Sequence, residues 1–364
     1  MRKLGISIYL QHSNLKSVYN YIDLASSYGF KRIFTCLISK SDDINFLNKF
    51  KDFVSYANSK DMEVIADIEP SIMNDLNIDF NDLTYFKNMG LYGIRLDLGF
   101  SGNEESIMSF DKNDLKIELN ISNGSKYLEN IMEYSPNKNN ILGCHNFYPR
   151  EYTGLKRSHF LRTSKEYKEM GIRTAAFVSS SVAKYGPWEL ENGLPTLEEH
   201  RNLSIKTQAK DLFNTNLVDD IIISNMFASE QELKALSNIN KNMLNLDVIL
   251  DTNISDIERD IVLEQLHFNR GDINDYAIRS TQGRVKFKKD EIKPRKENHE
   301  FIKKGDITID NSLYGRYKGE LQIALKDMKH NSKINIVGRI KEDELYLLDT
   351  IKPWQKFKFS NLGQ

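Results

Sequence analysis

The sequence predicts an α/β fold, a (β/α)8 barrel followed by a smaller, mainly β domain, from three observations. Eight short apolar segments alternate with amphipathic ones through the first two thirds of the 364-residue chain, which is the strand count of such a barrel. The first segment is not followed by the glycine-rich turn typical of a doubly wound open sheet, the alternative architecture. After about Ile239, strand-like segments continue without long helices between them. We therefore assign residues 1–240 to the barrel and residues 241–364 to the β domain.

The eight predicted barrel strands share a short apolar pattern bounded by polar or turn-forming residues. In chain order they are LGISIYL (4–10), RIFTCL (32–37), EVIADIE (63–69), GIRLDLGF (93–100), KIELNIS (116–122), ILGCHNFY (141–148), IRTAAFVSS (172–180) and DIIISNMF (220–227). Amphipathic helices are predicted between them over residues 15–30, 46–60 and 196–213. The first of these helices ends near Gly29, and the third is predicted to have Thr196 as its N-cap and Glu199 in a capping box.

Composition argues against several classes of function. The formal net charge of −1 gives no overall field that attracts nucleic acid or an anionic membrane. Cys36 and Cys144 lie in strand-like segments and are predicted to be buried thiols rather than a disulfide. A Lys/Arg-rich stretch at 284–304 is predicted to be a solvated loop or strand edge rather than a polyanion site.

Neither a secretory signal nor a membrane-spanning apolar run is recognisable in the sequence. No metal-ligand spacing and no cofactor motif is recognisable either. We therefore expect a cytoplasmic protein without a cofactor, a metal, a nucleic-acid partner or a membrane partner, and we leave a homo-oligomer open.

Polar residues are predicted at the carboxyl ends of three neighbouring strands. Because strand residues alternate between faces, Asp67, Arg95, Asp97 and Asn120 face the barrel interior while their apolar neighbours face the helices. Catalytic residues of (β/α)8 barrels lie at these carboxyl ends. Arg95 is predicted to lie one layer deeper than Asp97, where an ion pair with Glu118 is the alternative to a role in the site.

Two further carboxylates have weaker positions. Glu69 precedes Pro70 where the third strand ends, so it is either a site residue or a loop residue. Glu198 lies in the connection after the seventh strand, beside the predicted helix start. That connection is unusually long, which is typical of a substrate-covering loop, and Trp188 within it offers an apolar surface for a sugar ring.

The segment GCHNFYPREYTGL (143–155) is expected to reach the same mouth. His145 lies on one face of the sixth strand, beside Asn120 and Asp97, and is predicted to bind substrate rather than to be a core histidine. Asn146 and Tyr148 share the other face. Arg150, with free backbone N–H groups of a turn that begins at Thr153, suits a phosphate or a carboxylate.

Several motifs in one order resemble the MupG-like family of 6-phospho-N-acetylmuramidases. They are ELNIS (118–122), HNFYPR (145–150), GLPTLE (193–198), FNRGDINDYAIRSTQGR (268–284) and DNSLYGRYKGELQI (310–323). The resemblance implies a TIM barrel followed by a cyclophilin-like β domain. It also implies an intracellular glycosidase that removes 6-phospho-N-acetylmuramic acid from a disaccharide derived from the cell wall, in peptidoglycan recycling.

The resemblance also implies which positions form the site. In the barrel, the matching positions are Asp67, Arg95, Asp97, Asn120, His145, Asn146, Tyr148, Arg150, Thr153, Gly193 and Glu198. In the second domain they are Arg270, Arg279, Asn311, Tyr314, Arg316 and Glu320. Three positions depart from the family pattern: Glu69 where Ser is common, Tyr185 where Arg is common, and Ser224-Asn225 where Gly-Asp is common.

Glycoside hydrolysis requires two carboxyl groups flanking the bond. Our hypothesis is that Asp67 and Asp97 are this pair, with Glu69 as the substitute for either, and that Asn120 and His145 bind the sugar. Assistance by the substrate's own acetamido group is the alternative mechanism. Local cations should bind the anionic substrate, with Arg150 as the barrel's candidate and Arg270, Arg279 and Arg316 as those of the β domain. A metal-assisted phosphosugar lyase or epimerase and a non-catalytic sugar-phosphate-binding protein are the alternative functions.

Overall fold

A computed structural model describes residues 1–37, 44–68, 72–73, 78–188, 192–295 and 299–362. The chain folds as two compact units, Met1–Ile239 and Asn240–Gln364. The first unit is an eight-stranded, parallel, closed barrel, which confirms the predicted fold class and excludes the doubly wound alternative. Its strands are β1 (Lys3–Ile8), β2 (Arg32–Cys36), β3 (Glu63–Ile68), β4 (Gly93–Leu96), β5 (Lys116–Asn120), β6 (Ile141–Cys144), β7 (Arg173–Val178) and β8 (Asp220–Ile223).

Helices follow the barrel strands, as the alternating pattern predicts. The described ones are α1 (Leu15–Ser27), α2 (Ile44–Ser59), α3 (Thr84–Asn88), α4 (Asn103–Met108), α5 (Tyr127–Glu133), α6 (Arg157–Glu169), α7 (Ile205–Asn214) and α8 (Glu230–Ser237). Helix α1 ends as predicted, because Gly29 adopts a positive φ of 78° just beyond it. The strands bury their apolar face against these helices, and Val64, Ala66 and Ile68 of β3 are fully buried. This packing leaves the alternate residues of each strand to the barrel interior.

The helix predicted over 196–213 is wrong in its start. Residues Glu198–His200 form a separate 3-10 turn, and α7 begins at Ile205 with Ser204 as its N-cap. The Thr196 hydroxyl instead donates to the carbonyl of Asn146 and accepts from the N–H of Phe177. Thr196 therefore ties the connection after β7 to the neighbouring strand end, and it caps no helix.

A layer of charged side chains crosses the barrel interior, and the rings of Phe34, Phe147 and Phe177 pack on one another nearer the carboxyl ends of the strands. Arg32 on β2 bonds Glu118 on β5, and it donates to Asp220 on β8 over 3.0 Å. Neither strand is paired with β2, although β8 lies next but one to it, so the bond to Glu118 crosses the barrel. Arg173 also bonds Asp220, which gives the layer two cations and two carboxylates, all nearly excluded from water except Arg173. The predicted ion pair between Glu118 and Arg95 is therefore wrong, because Glu118 pairs with Arg32.

The second unit is built on a seven-stranded mixed sheet and a two-stranded one. The strands are β9 (Leu244–Leu250), β10 (His267–Phe268), β11 (Ala277–Ser280), β12 (Phe301–Ile302), β13 (Asp306–Asp310), β14 (Leu321–Ala324), β15 (Met328–Lys329), β16 (Ile334–Ile340) and β17 (Lys356–Asn361). The large sheet has the order β10-β17-β9-β16-β13-β14-β11, and β12 pairs with β15. Its described helices are α9 (Asp256–Leu263), α10 (Gly283–Lys286) and α11 (Leu345–Leu348). A mainly β second domain was predicted, while its likeness to cyclophilin stays a prediction.

Candidate active site

Arg95 on β4 is the centre of a polar cluster at the carboxyl end of the barrel. One nitrogen, Nη1, donates to Asp67 Oδ1 over 2.8 Å and to Asp97 Oδ1 over 3.2 Å, while Nη2 bonds Asn146. The Arg95 and Asp67 side chains are 3% and 8% exposed, whereas the Asp97 side chain is 43% exposed. Burial opposes the charge of Arg95, but Asp67 and then Asp97 raise its pKa above the ordinary value. The cluster is thus a buried cation between one buried carboxylate and one that water or a ligand reaches.

Amide and hydroxyl groups fix the position of the exposed carboxylate. Asn120 Nδ2 donates to the Asp97 carboxylate over 3.2 Å, and Asn120 Oδ1 accepts from the N–H of Ser122 over 3.0 Å. The Ser122 hydroxyl accepts from the N–H of Asn146 over 2.7 Å. Burial raises the pKa of Tyr148 above its ordinary value, although its bond to Ser122 and the charge of Arg95 partly oppose this shift. Asp97 is therefore held by Arg95 of β4 and Asn120 of β5, and Ser122 links Asn120 to Asn146 in the segment after β6.

His145 does not face the mouth, so its predicted role as a substrate ligand is wrong in placement. Strand β6 ends at Cys144, and the fully buried imidazole of His145 packs against Phe160 of α6. Its Nε2 lies 2.8 Å from the Ser164 hydroxyl, and its Nδ1 lies 3.3 Å from the Ser122 hydroxyl. Burial lowers the pKa of His145 to about 3, so the ring is neutral at physiological pH. His145 therefore positions the Ser122 hydroxyl through a hydrogen bond instead of touching a ligand.

Glu198 is engaged within the protein. Arg201 pairs with it over 2.7 Å, and the backbone N–H groups of Tyr152 and Gly154 donate to it. The bond from Arg201, opposed by burial, lowers the pKa of Glu198 to about 2. The predicted turn therefore does not offer all its N–H groups to a ligand, because the Gly154 amide bonds Glu198. Glu198 fixes the loop after β6.

Arg150 and Thr153 belong to that loop. The Thr153 hydroxyl donates to the backbone carbonyl of Arg150 over 2.6 Å, which tightens the turn. The Arg150 guanidinium is exposed and has no hydrogen bond or ion pair with the described part of the chain. Among the predicted barrel cations, Arg150 is thus available to an anionic ligand.

Two predicted residues lie in or beside segments without a description. Glu69 follows β3 directly and falls outside the described residues. Trp188 is exposed, as a stacking surface requires, and its contact with a sugar stays a prediction.

A cavity of about 710 Å³ adjoins the end of β7 and includes Ser179, Ser180 and Lys184. The amides of both serines are bonded, to Gln208 and Asn225, so they are not offered to a phosphate.

The predicted cations of the second unit make local contacts. Arg270 pairs with Asp272, and Arg279 pairs with the fully buried Glu320 over 2.6 Å. Arg316 is exposed and donates to the hydroxyl of its neighbour Tyr317. Burial, followed by the charge of Glu320, raises the pKa of Asp310 to about 8. The motif DNSLYGRYKGELQI (310–323) therefore forms part of a compact charged cluster within the second unit.

Two residues at the barrel site were not predicted from the sequence. Cys36, the last residue of β2, lies in register with Asp67, and burial together with Asp67 raises the pKa of its thiol. Ser122 bonds Asn120 and Asn146, and the alternation in NIS that places Asn120 inward places Ser122 on the same face. Among the described residues, no three carboxylate, imidazole or thiol groups lie close enough together to hold a metal ion.

Comparisons with known proteins match nearly the whole chain. The family described as 6-phospho-N-acetylmuramidase matches with its N-terminal part over residues 4–238 and its C-terminal part over residues 244–360. A crystal structure of an uncharacterized B. cereus protein is 45% identical, with a TM-score of 0.90 and coverage of 99% of both chains. A conserved Enterococcus faecalis protein of unknown function is 26% identical, with a TM-score of 0.71 and coverage of 99% of this chain and 97% of that one. A search of curated proteins gives no match. No helix in the described ranges is long and apolar enough to cross a bilayer.

Proposed function

Because the chain belongs to the 6-phospho-N-acetylmuramidase family and is thus a glycosidase, we propose that it hydrolyses the glycosidic bond of a 6-phospho-N-acetylmuramic acid disaccharide. The observation that carries this proposal is the exposed Asp97 carboxylate, held beside Arg95 at the barrel mouth. In the cell, such a reaction would serve the recycling of peptidoglycan fragments in the cytoplasm.

Asp97 is the carboxylate that acts on the sugar. The Arg95 guanidinium bonds Asp97 and orients it at the mouth, where a carboxylate can act as a nucleophile or as a stabiliser of the oxocarbenium-like transition state. Asn120 and Tyr148 lie beside it and are placed to bind sugar hydroxyl or acetamido groups. In the covalent route, Asp97 bonds the anomeric carbon as the bond to the leaving sugar breaks, and water then releases the product.

Asp67 is better suited to hold Arg95 than to donate a proton. It is buried, and its carboxylate accepts a hydrogen bond from the Arg95 guanidinium over 2.8 Å, so it is engaged within the protein. The proton for the leaving oxygen then falls to Glu69, the substitute that the sequence predicts, two positions further along the chain.

If Asp67 rather than Glu69 supplies the proton, as in the pair first predicted from the sequence, the spacing of the two aspartates favours retention of configuration. Since their Oδ1 atoms bond one nitrogen of Arg95, at 2.8 and 3.2 Å, they lie within about 6 Å of each other. Inverting enzymes separate their carboxyl groups by about 6.5–9.5 Å to admit a water. Assistance by the acetamido group also retains configuration, and in that route Asp97 would orient the acetamide.

The phosphate of the substrate requires a cation near the barrel mouth. Arg150 is the proposed ligand, because its guanidinium is exposed and unpaired with the described residues. An Arg fork matches two phosphate oxygens at once.

The proposal is tested by incubating the full chain with the 6-phosphorylated and the unphosphorylated disaccharide of N-acetylmuramic acid and N-acetylglucosamine, with and without EDTA. We expect cleavage of the phosphorylated form alone, unaffected by EDTA. Equal cleavage of both forms would contradict the phosphate specificity, and activity lost in EDTA and restored by a metal would favour the metal-assisted alternative.

A further inference from the structure

The second unit contains a cavity of about 710 Å³ whose ionisable lining side chains, among the described residues, are all cationic. The cavity is lined by Thr281, Arg284, Val285, Lys288, Gly315, Arg316 and Lys318. A volume of this size is typical of sites for small molecules. Four positive charges around one cavity favour an anionic occupant.

The two arginines are held in place before any ligand arrives. The Arg284 guanidinium lies over the Tyr317 ring, 4.7 Å from its centroid, and the Arg316 guanidinium lies 5.2 Å from the same centroid. Arg284 also donates to the buried Glu320 carboxylate and to the backbone carbonyl of Arg316. These contacts reduce the entropy that ordering the two side chains around a ligand would cost.

The two lysines come from the same two segments as the arginines. Lys288 follows Arg284 along the chain, and Lys318 follows Arg316. Lys318 Nζ donates to the carbonyls of Lys288 and Asp290, over 2.9 and 2.6 Å, which ties the two segments together. Lys288 is exposed, and it has no hydrogen bond or ion pair of its ammonium group to other described residues. One lysine therefore shapes the cavity, while the other is available to a ligand.

Close backbone contact brings these segments together. A Cβ on Gly283 would lie 2.1 Å from the Gly319 carbonyl oxygen, and Gly319 itself has a φ of 84°. Only glycine at both positions permits this approach. The cations of residues 284–288 and of residues 316–318 thus converge because of the backbone, and not through flexible side chains alone.

We propose that this cavity binds the phosphate monoester of a small molecule, such as a phosphorylated sugar. A phosphate monoester carries close to two negative charges and three strong acceptor oxygens, which matches two guanidiniums, a free ammonium and the Thr281 hydroxyl. The Lys/Arg-rich stretch that begins at Arg284 thereby gains a role in its first residues. The choice of a sugar phosphate rests on the proposed function, whereas the anion site itself does not.

The test is isothermal titration calorimetry of the full chain with inorganic phosphate, with glucose 6-phosphate, and with glucose as the uncharged control. We expect saturable binding of both phosphates and none of glucose. The double variant Arg316→Gln/Lys288→Gln should weaken phosphate binding at this cavity by about tenfold or more, because charged hydrogen bonds are lost. Lys358→Gln, which removes an exposed positive charge of the same unit outside the cavity, should bind as the unchanged protein does.

The outcomes distinguish two sources of the bound phosphate, and one outcome contradicts the inference. A rise in KM for the phosphorylated disaccharide in the double variant would identify the substrate's own phosphate as the ligand. A second glucose 6-phosphate binding event that the double variant removes would identify a separate phosphorylated metabolite. Phosphate binding that is absent, or equal in both variants, would overturn the inference. Because binding is measured without turnover, failure to hydrolyse the disaccharide would leave this result independent.

Discussion

Replacing Arg95 by Gln is expected to destabilise the barrel and to abolish hydrolysis together. The substitution removes the cation that bonds Asp67 over 2.8 Å and Asp97 over 3.2 Å, and it leaves the Asp67 carboxylate, 8% exposed, beside a neutral amide. Breaking a buried ion pair at one partner costs about 3–5 kcal/mol of unfolding free energy. Because Asp97 is 43% exposed and can be hydrated, we attribute most of this cost to Asp67.

Urea-induced unfolding, followed by far-ultraviolet circular dichroism, measures the stability change. The double variant Arg95→Gln/Asp67→Asn is the matched control, since it removes the uncompensated charge and should recover at least half of the lost stability. It should not recover turnover, because Asp97 still lacks its cation. If Arg95→Gln were as stable as the unchanged protein, or if the double variant were less stable than Arg95→Gln, the assignment of Arg95 as the electrostatic centre would be refuted.

Three further predictions concern stability. Burial lowers the folded-state pKa of His145 to about 3, so the unfolded chain binds the extra proton below its ordinary pKa of about 6.5. Stability should therefore fall as the pH falls from 6.5 towards 3, by about 2 kcal/mol at pH 5 from this residue, and the pH dependence of the urea midpoint should be shallower in His145→Gln. Burial and Glu320 raise the folded-state pKa of Asp310 to about 8, so the folded protein loses stability as the pH rises from about 4 to 8 and this buried carboxyl group loses its proton. Asp310→Asn should therefore be more stable than the unchanged protein at pH 8 by at least about 1 kcal/mol. An equal or lower midpoint for Asp310→Asn would contradict this. Gly283→Ala places a Cβ 2.1 Å from the Gly319 carbonyl oxygen and should cost about 1–3 kcal/mol, seen as a lower Tm of the second unit; an unchanged Tm would show that the contact relaxes freely.

Hydrophobic alternation predicted the barrel well, because one face of each strand must be apolar to pack on the helices. EVIADI of β3 buries Val64, Ala66 and Ile68 outward, and this fixes Asp67 inward without any tertiary information. The same rule places His145 opposite to Asn146, and the structure follows the rule. The sequence analysis placed His145 and Asn146 on opposite faces of the sixth strand but did not establish which face points into the barrel, and Cys144, in register with Asn120, shows that His145 points away from it.

Pairing across the barrel was not predictable from local pattern. Glu118 faces inward beside Arg95, yet it bonds Arg32, which comes from a strand three positions away around the barrel. Which of two inward cations a carboxylate meets depends on the closure of the barrel and on strand tilt, and neither is encoded in a single segment. The error at Thr196 has a related cause, because a capping-box pattern considers only neighbours in sequence. The Thr196 hydroxyl instead bonds the carbonyl of Asn146 and the N–H of Phe177, which are distant in sequence.

Turnover of the phosphorylated disaccharide by Asp97→Asn tests the central claim most directly. The substitution keeps the size of the side chain and removes the charge that Arg95 holds at the mouth. Asp61→Asn is the control, because Asp61 is exposed at the amino end of β3 and its positive φ of 56° is one that Asn tolerates. We predict that Asp97→Asn loses at least about 100-fold in kcat, with an unfolding free energy within about 1 kcal/mol of the control. Turnover close to that of Asp61→Asn would contradict the assignment of Asp97 as the carboxylate that acts on the sugar.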